Sequence, residues 1–359
     1  MERPDTKCPD LSCNRFPSVS RETLPMKNAT VANGPTLNGL RTLQLENRFL
    51  RVVLLPEAGA KIWQITYKPL AADLLWNRPG MAPARHGLGA AYDDVWSGGW
   101  DELFPTDEAG SFDGRSLPDH GELWTGEWHA APFTEGDAAG IRLRFSTPVS
   151  LFDAEKTILL RPEASTLELR YRLTNQGQAP FPFLFKLHPA FAVSASHRID
   201  FAPMTVVREP DFPGTLGEAP LSFPWPYAPL NGHRLDLRQV PEPASGAVHF
   251  FYGDHLRGGW CGVTNCATGL AAGLRYDPQV FSSCWLFATH GGWLDLNVAV
   301  LEPATGYPFR LQSLIESGRA RWLAPGETLE TSVLFSAQQG LKSIGGVEPD
   351  GHILPGDEA

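Results

Sequence analysis

Ile141–Val193 reads IRLRFSTPVSLFDAEKTILLRPEASTLELRYRLTNQGQAPFPFLFKLHPAFAV, and this stretch decides the fold class. Ile141, Leu143 and Phe145 alternate with arginines, and Leu167, Leu169, Tyr171 and Leu173 alternate with Glu and Arg. A period of two places one set on a buried face and the charged set on the opposite face of a strand. RPEAST and NQGQAP supply the turns between runs. From Phe183 to Val193 the chain is nearly all apolar, which predicts a strand covered on both faces and makes Lys186 and His188 conspicuous.

The same grammar extends outward. LQLENRFLRVVLLPEAGAKIWQITYK (43–68) predicts two or three strands in a meander, with DLLW (73–76) as a further short one. Strand signals resume at VHFFYG (248–253) and continue through GWCGVTN, LAAGLRYD, CWLFATH and LNVAVLEP to GETLETSVLFSA (326–337). Residues 203–245 are Pro-rich with little alternation and are predicted to be a long surface loop. No repeat of 20–50 residues and no sustained helical period occurs. The expected architecture is all-β: two large, mainly antiparallel sheets face to face over residues 40–340. A flexible arm (1–39) and a C-terminal tail (341–359) are predicted to flank it.

The 359 residues include 35 Gly and 32 Pro, which suits many short strands joined by tight turns. A net charge of −10 argues against nucleic acid or an anionic membrane as partner. No run of about 18 apolar residues predicts a membrane span, and the first residues lack the apolar core of a secretory signal. Five sparse cysteines (8, 13, 261, 266, 284) read as reduced thiols, so a cytoplasmic location is expected. Nothing in the sequence assigns an oligomeric state.

Ser97–Trp128, SGGWDELFPTDEAGSFDGRSLPDHGELWTGEW, holds eight acidic residues against one basic residue, together with Trp100, Trp124 and Trp128. Solvated loops do not collect indoles, and core segments do not collect carboxylates. Flat aromatic faces beside acceptors suit a polar ring, so this stretch is predicted to wall a carbohydrate cleft. Three polar residues sit where burial is predicted: His120 in PDHGE, His188 ending the apolar run, and Glu302 ending VAVLEP. A carboxylate there needs donors or a cavity. The bland alternatives are a hydrogen-bonded core histidine and a carboxylate bonded to the next turn. His120 and Glu122, spaced H-x-E, could instead contribute to a metal site, although the later P-C-x-x-C of zinc deaminases is absent. Asp101 and Glu102 are adjacent on a strand and so face opposite ways. Asp101, Glu122, Trp124, Lys186 and Trp285 are the candidate substrate contacts. No nucleotide-binding fingerprint or nucleophile elbow occurs, and no cofactor is expected.

Five segments in order resemble the aldose 1-epimerases, the galactose mutarotase-like family. They are NRFLRVVLLPEAGAKIWQI with DLLW, SGGW through LPDHGELW, FLFKLHPAF, WLFATHGGWLDLNVAVLEPATG and LAPGETLETSVLF. The resemblance implies a β-supersandwich with a concave cleft and interconversion of sugar anomers without metal or nucleotide. It implies Glu302 as the base on the C1 hydroxyl, protonated His188 as donor to the ring oxygen, and His120 as a holder of oxygens near C1. Asp254 and Asp277 both remain open as the family's sugar-contacting aspartate. Leu123 and Trp124 stand where the hexose-phosphate branch has an Arg, and the surroundings are acidic, so a non-phosphorylated sugar is expected. A non-catalytic carbohydrate-binding protein is the alternative, and a metal-dependent sugar isomerase or lyase a further one.

Overall fold

The computed structural model describes residues 28–357. The predicted architecture is present: a 12-stranded sheet and an 8-stranded sheet, with antiparallel strand pairing throughout both. The stretch 141–193 behaves as its pattern requires. Ala138–Ser146, Phe152–Leu160 and Thr166–Asn175 are successive strands of the smaller sheet. Ile141, Leu143, Ile158, Leu167 and Leu169 are buried in one core shared with the larger sheet. Each such side chain contributes roughly 1.5–3 kcal/mol through removal from water.

The centre of the larger sheet is formed by Trp100–Leu103, Lys186–Phe191, Asn297–Ala304 and Ser283–His290, in that spatial order. Leu187, Phe191, Leu286 and Leu301 point into the main core, while Ala190, Val298 and Val300 join Trp76, Trp96 and Trp124 in a second cluster. The apolar run around His188 is thus covered on both faces, as its composition predicts.

The ends depart from expectation. The predicted arm is corrected at its C-terminal end, because Thr30–Asn33 pairs with Leu43–Glu46 and adds an edge strand. Residues 1–27 of that arm, with Cys8 and Cys13, lie outside the described residues. The predicted tail is a hairpin, Ile344–Val347 with Ile353–Pro355. Its Ile344, Val347 and Ile353 bury against Ala271 and Trp260. Gly345, Gly346 and Gly351 interrupt the apolar pattern there, which is why the sequence reads as tail-like.

The Pro-rich segment is not a plain loop either. Thr205–Arg208 and Ser222–Pro224 extend the larger sheet at its edge, and Tyr227–Leu230 pairs with His233–Asp236. Strands of three or four residues are too short to show a period, and edge positions tolerate proline. No helix among the described residues is long and apolar enough to cross a membrane.

Candidate functional site

Strand register assembles the site. On the central strands Asp101 lies opposite His188, Trp285 opposite Glu302, and Tyr252 opposite Trp285. Lys186 opposite Ala304 and Ala190 opposite Val300 bring His188 alongside Glu302. One row across the sheet therefore runs Asp101, His188, Glu302, Trp285, Tyr252, all on the face turned away from the smaller sheet. His188 Nε2 stands 4.0 Å from Glu302 Oε1.

Loops bring the remaining groups. His120 adopts φ +55° and Gly121 φ +74° in the turn after Arg115–Leu117. The His120 amide donates to Asp107 O at 2.7 Å, which fixes the turn over the strand ends. A Cβ on Gly121 would meet Phe104 O at 2.0 Å. Gly121→Ala is therefore expected to cost roughly 2 kcal/mol or more, read by denaturant unfolding, and to displace His120. Unchanged stability would refute this account of the turn.

Lys186 is buried and bridges two carboxylates, Asp107 at 2.6 Å and Glu302 at 2.5 Å. One ammonium cannot neutralise both. Burial and the neighbouring Asp107 outweigh the attraction of Lys186 and push Glu302 up to about 7. Burial works against the Lys186 charge, but the two carboxylates outweigh it and hold the pKa above the ordinary value. Burial also opposes charge on His120, yet Asp107 and a bond from Nδ1 to Asp119 at 2.9 Å raise it.

His188 is different: burial, then Lys186 and His120, hold it well below the usual imidazole range. The surroundings thus favour the charged form of His120 and the neutral form of His188, the reverse of the donor role that the resemblance implies for His188. The tautomer of His188 follows from Tyr92. Its phenol donates to Asp101 Oδ2 at 2.9 Å, and its oxygen lies 3.2 Å from His188 Nδ1. With its one proton committed to a carboxylate, that oxygen can only accept, so Nδ1 carries the hydrogen and Nε2 offers a lone pair. Tyr92 also stacks on His120, with ring centroids 4.0 Å apart and planes at 12°.

Above this polar end lies a cavity of about 270 Å³. Its other walls are Trp96, Phe212, Phe250, Phe287, Trp293 and Phe309. Phe212 comes from the segment predicted to be a loop, and Phe309 from the turn after the Glu302 strand. Arg310 joins these two flanks through ion pairs to Glu108, at 2.6 Å, and to Asp211.

Of the predicted site residues, the structure brings together His120, His188, Lys186 and Glu302 around this cavity. The others stand behind it. Asp101 binds Lys61 Nζ at 2.5 Å and the Tyr92 phenol, so it acts through Tyr92. Glu122 is corrected: its carboxylate accepts from the amides of Val149 and Ser150 at 2.7 and 2.9 Å, which satisfies a turn. It therefore cannot join His120 in an H-x-E metal pair. Trp124 packs edge-on against Tyr92 and donates to Asp119 O at 3.2 Å. Trp285 is fully buried beneath Lys186, 4.3 Å from its ammonium, and donates to Gly306 O. Both are corrected from substrate platforms to supports, because neither lines the cavity.

Asp254 pairs with Tyr307 and Arg319, Asp277 holds a turn at Gln279, and neither lines the cavity. Sequence reasoning missed Tyr92, Asp107 and the Phe wall. Asp107 stood among the eight acids of the 97–128 stretch without a mark of its own, and Phe250 and Phe287 looked like ordinary strand residues.

Neither a protein-family model nor a curated protein matches the sequence. Solved structures do match. The Slr1438 protein of Synechocystis superposes with TM-score 0.64 at 17% identity, over 86% of this chain and 99% of that one. A Klebsiella pneumoniae protein provisionally named an aldose 1-epimerase gives 0.66 at 16%, over 86% and 82%. A galactose mutarotase-like protein of Clostridium acetobutylicum gives 0.62 at 10%, over 88% and 100%. The fold is that of the galactose mutarotase-like sandwiches. Its structural neighbours include proteins named as aldose 1-epimerases and mutarotases, as the five sequence segments lead one to expect.

Proposed function

We propose that this protein interconverts the anomers of a non-phosphorylated sugar by general acid–base catalysis. The observation that carries this reading is the placement of Glu302 4.0 Å from His188, paired with Lys186 and lining one cavity with His120, where burial pushes Glu302 up to about 7. A group with that pKa holds and releases a proton equally well at neutrality.

Glu302 takes the proton from the anomeric hydroxyl. The C1–O1 bond becomes a carbonyl as the bond from C1 to the ring oxygen breaks, and the ring oxygen takes a proton from His120. Rotation about C1–C2 and reversal of the transfers closes the ring with the opposite configuration. His188 accepts a hydrogen bond from a ligand hydroxyl through Nε2, and Asp101 and Tyr92 hold it in that tautomer. Lys186 stays charged throughout, so it does not condense with the open-chain aldehyde.

The experiment is anomer exchange by NMR on a sugar panel; no acceleration by a folded protein would refute the reading. The rate is expected to rise with pH through about 7 as Glu302 ionises, and to fall again as His120 gives up its proton. A rate that is flat across that interval would remove Glu302 from the chemistry.

A further inference from the structure

The cavity lining is unusual for a sugar site. Among its described residues there is no Asn, Gln, Ser, Thr or Arg. Its hydrogen-bonding groups gather at one end, where most of them are engaged: Asp107 and Glu302 with Lys186, Asp119 with His120, and Glu108 with Arg310 outside the lining, while Asp93 adds a further carboxylate.

Opposite them the aromatic wall is continuous. Phe212 meets Phe250 and Phe287 with centroids 5.8 and 6.1 Å apart, and Phe250 meets Phe309 at 6.3 Å. Trp293 packs edge-on against Phe287 at 5.2 Å. The polar atoms of this wall are the indole N–H groups of its tryptophans, and Trp96, which packs against His188 with centroids 5.4 Å apart, joins the wall to the polar end.

A free hexose stacked on one aromatic face still directs hydroxyls outward around its ring. Here those hydroxyls would meet phenylalanine edges. Each hydroxyl stripped of water without a partner costs about fivefold to a hundredfold in affinity. Each carbon that lacks a hydroxyl gains contact with the wall instead.

We infer that the cavity takes a hydroxyl-poor cyclic hemiacetal of the deoxysugar class. Its anomeric centre lies against Glu302, and its deoxy or methyl carbons face the Phe wall. This inference rests on the proposed anomer exchange for its orientation, but its selectivity can be read from binding alone.

The test compares glucose and galactose with 6-deoxyhexoses and 2,6-dideoxyhexoses on the intact protein, by calorimetric affinity and by NMR anomer exchange. The dideoxyhexose is expected to bind, and to exchange, at least about tenfold better than galactose. Phe212→Ser, on an edge segment outside the sheet centre, and Phe287→Asn are expected to narrow that ratio by favouring the hexoses. Thermal melts confirm that each variant is folded, and either one alone suffices. Equal or better binding of galactose by the wild-type protein overturns the inference while leaving anomer exchange intact. Selective dideoxyhexose binding without any exchange supports the inference and removes the catalytic proposal. No binding of any sugar overturns both.

Discussion

Glu302→Gln is expected to lower the rate of anomer exchange by about 10²–10⁴-fold, the usual worth of a positioned general base. Sugar affinity is expected to change far less. The amide keeps the shape and one acceptor oxygen but has no proton affinity near neutrality. The fold tolerates the change for a reason visible in the site. Glu302 is pushed up to about 7 chiefly by burial, so its ionisation works against the folded state. A carboxyl whose folded pKa exceeds its unfolded value contributes stability below the unfolded value and loses it as pH rises through the folded one. Here that window runs from about 4.5 to about 7, and the loss is on the order of 3 kcal/mol. Removing the charge removes that loss. The variant is expected to melt no lower than the parent above neutral pH, while the parent regains ground in acid. Full exchange activity in Glu302→Gln would dismiss the acid–base scheme. Lost exchange with retained binding would separate an enzyme from a carbohydrate-binding protein on the same scaffold.

Much of this site can be read from the sequence, and the parts that cannot share a cause. His188, Lys186 and Glu302 betray themselves because a polar residue within an apolar strand has few inexpensive explanations. Strand parity also resolves Asp101 and Glu102 correctly. Asp101 turns toward His188 through Tyr92, while Glu102 turns into the sandwich to meet Lys156 and Tyr171 at 2.7 Å. Glu122 misleads because it has the same local signature as a ligand-binding acid. Only the distant amides of Val149 and Ser150 show that it serves a turn.

Trp124 and Trp285 mislead because an indole beneath a site and an indole lining it look alike in a linear string. Which histidine the surroundings push toward the charged form cannot be decided locally at all. It depends on Asp107 and Asp119 beside His120 and on Lys186 beside His188, and long-range pairing sets those distances. The fold fares better than the site because period and turn chemistry are local, whereas charge balance is not.

Lys186→Met is expected to be the most destabilising change in the site, by about 3–5 kcal/mol near neutral pH. The side chain is nearly isosteric, so packing over Trp285 is largely kept. The charge is what disappears. Asp107 and Glu302 then share a buried space without the ammonium that lies 2.6 and 2.5 Å from them. Two carboxylates so placed cannot both ionise, so the pair holds a proton more tightly in the folded variant.

The sign follows directly. Protons bind the folded variant more tightly than the unfolded chain, so its stability falls as pH rises from the ordinary carboxylate range upward. The gap in melting temperature between parent and variant should therefore be largest at neutral and mildly alkaline pH, and should close toward acid. Asp107→Asn added to Lys186→Met should recover much of the loss, because it removes one of the stranded charges. Loss caused by packing alone would show the same gap at every pH and no rescue by the second substitution. The outcome also bears on chemistry. Burial pushes Glu302 up, and Lys186, whose one positive charge is spread over two acids, offsets that only in part and leaves Glu302 at about 7. Any exchange that survives in Lys186→Met should have its pH dependence displaced to higher pH, because the largest influence favouring the ionised Glu302 is then gone.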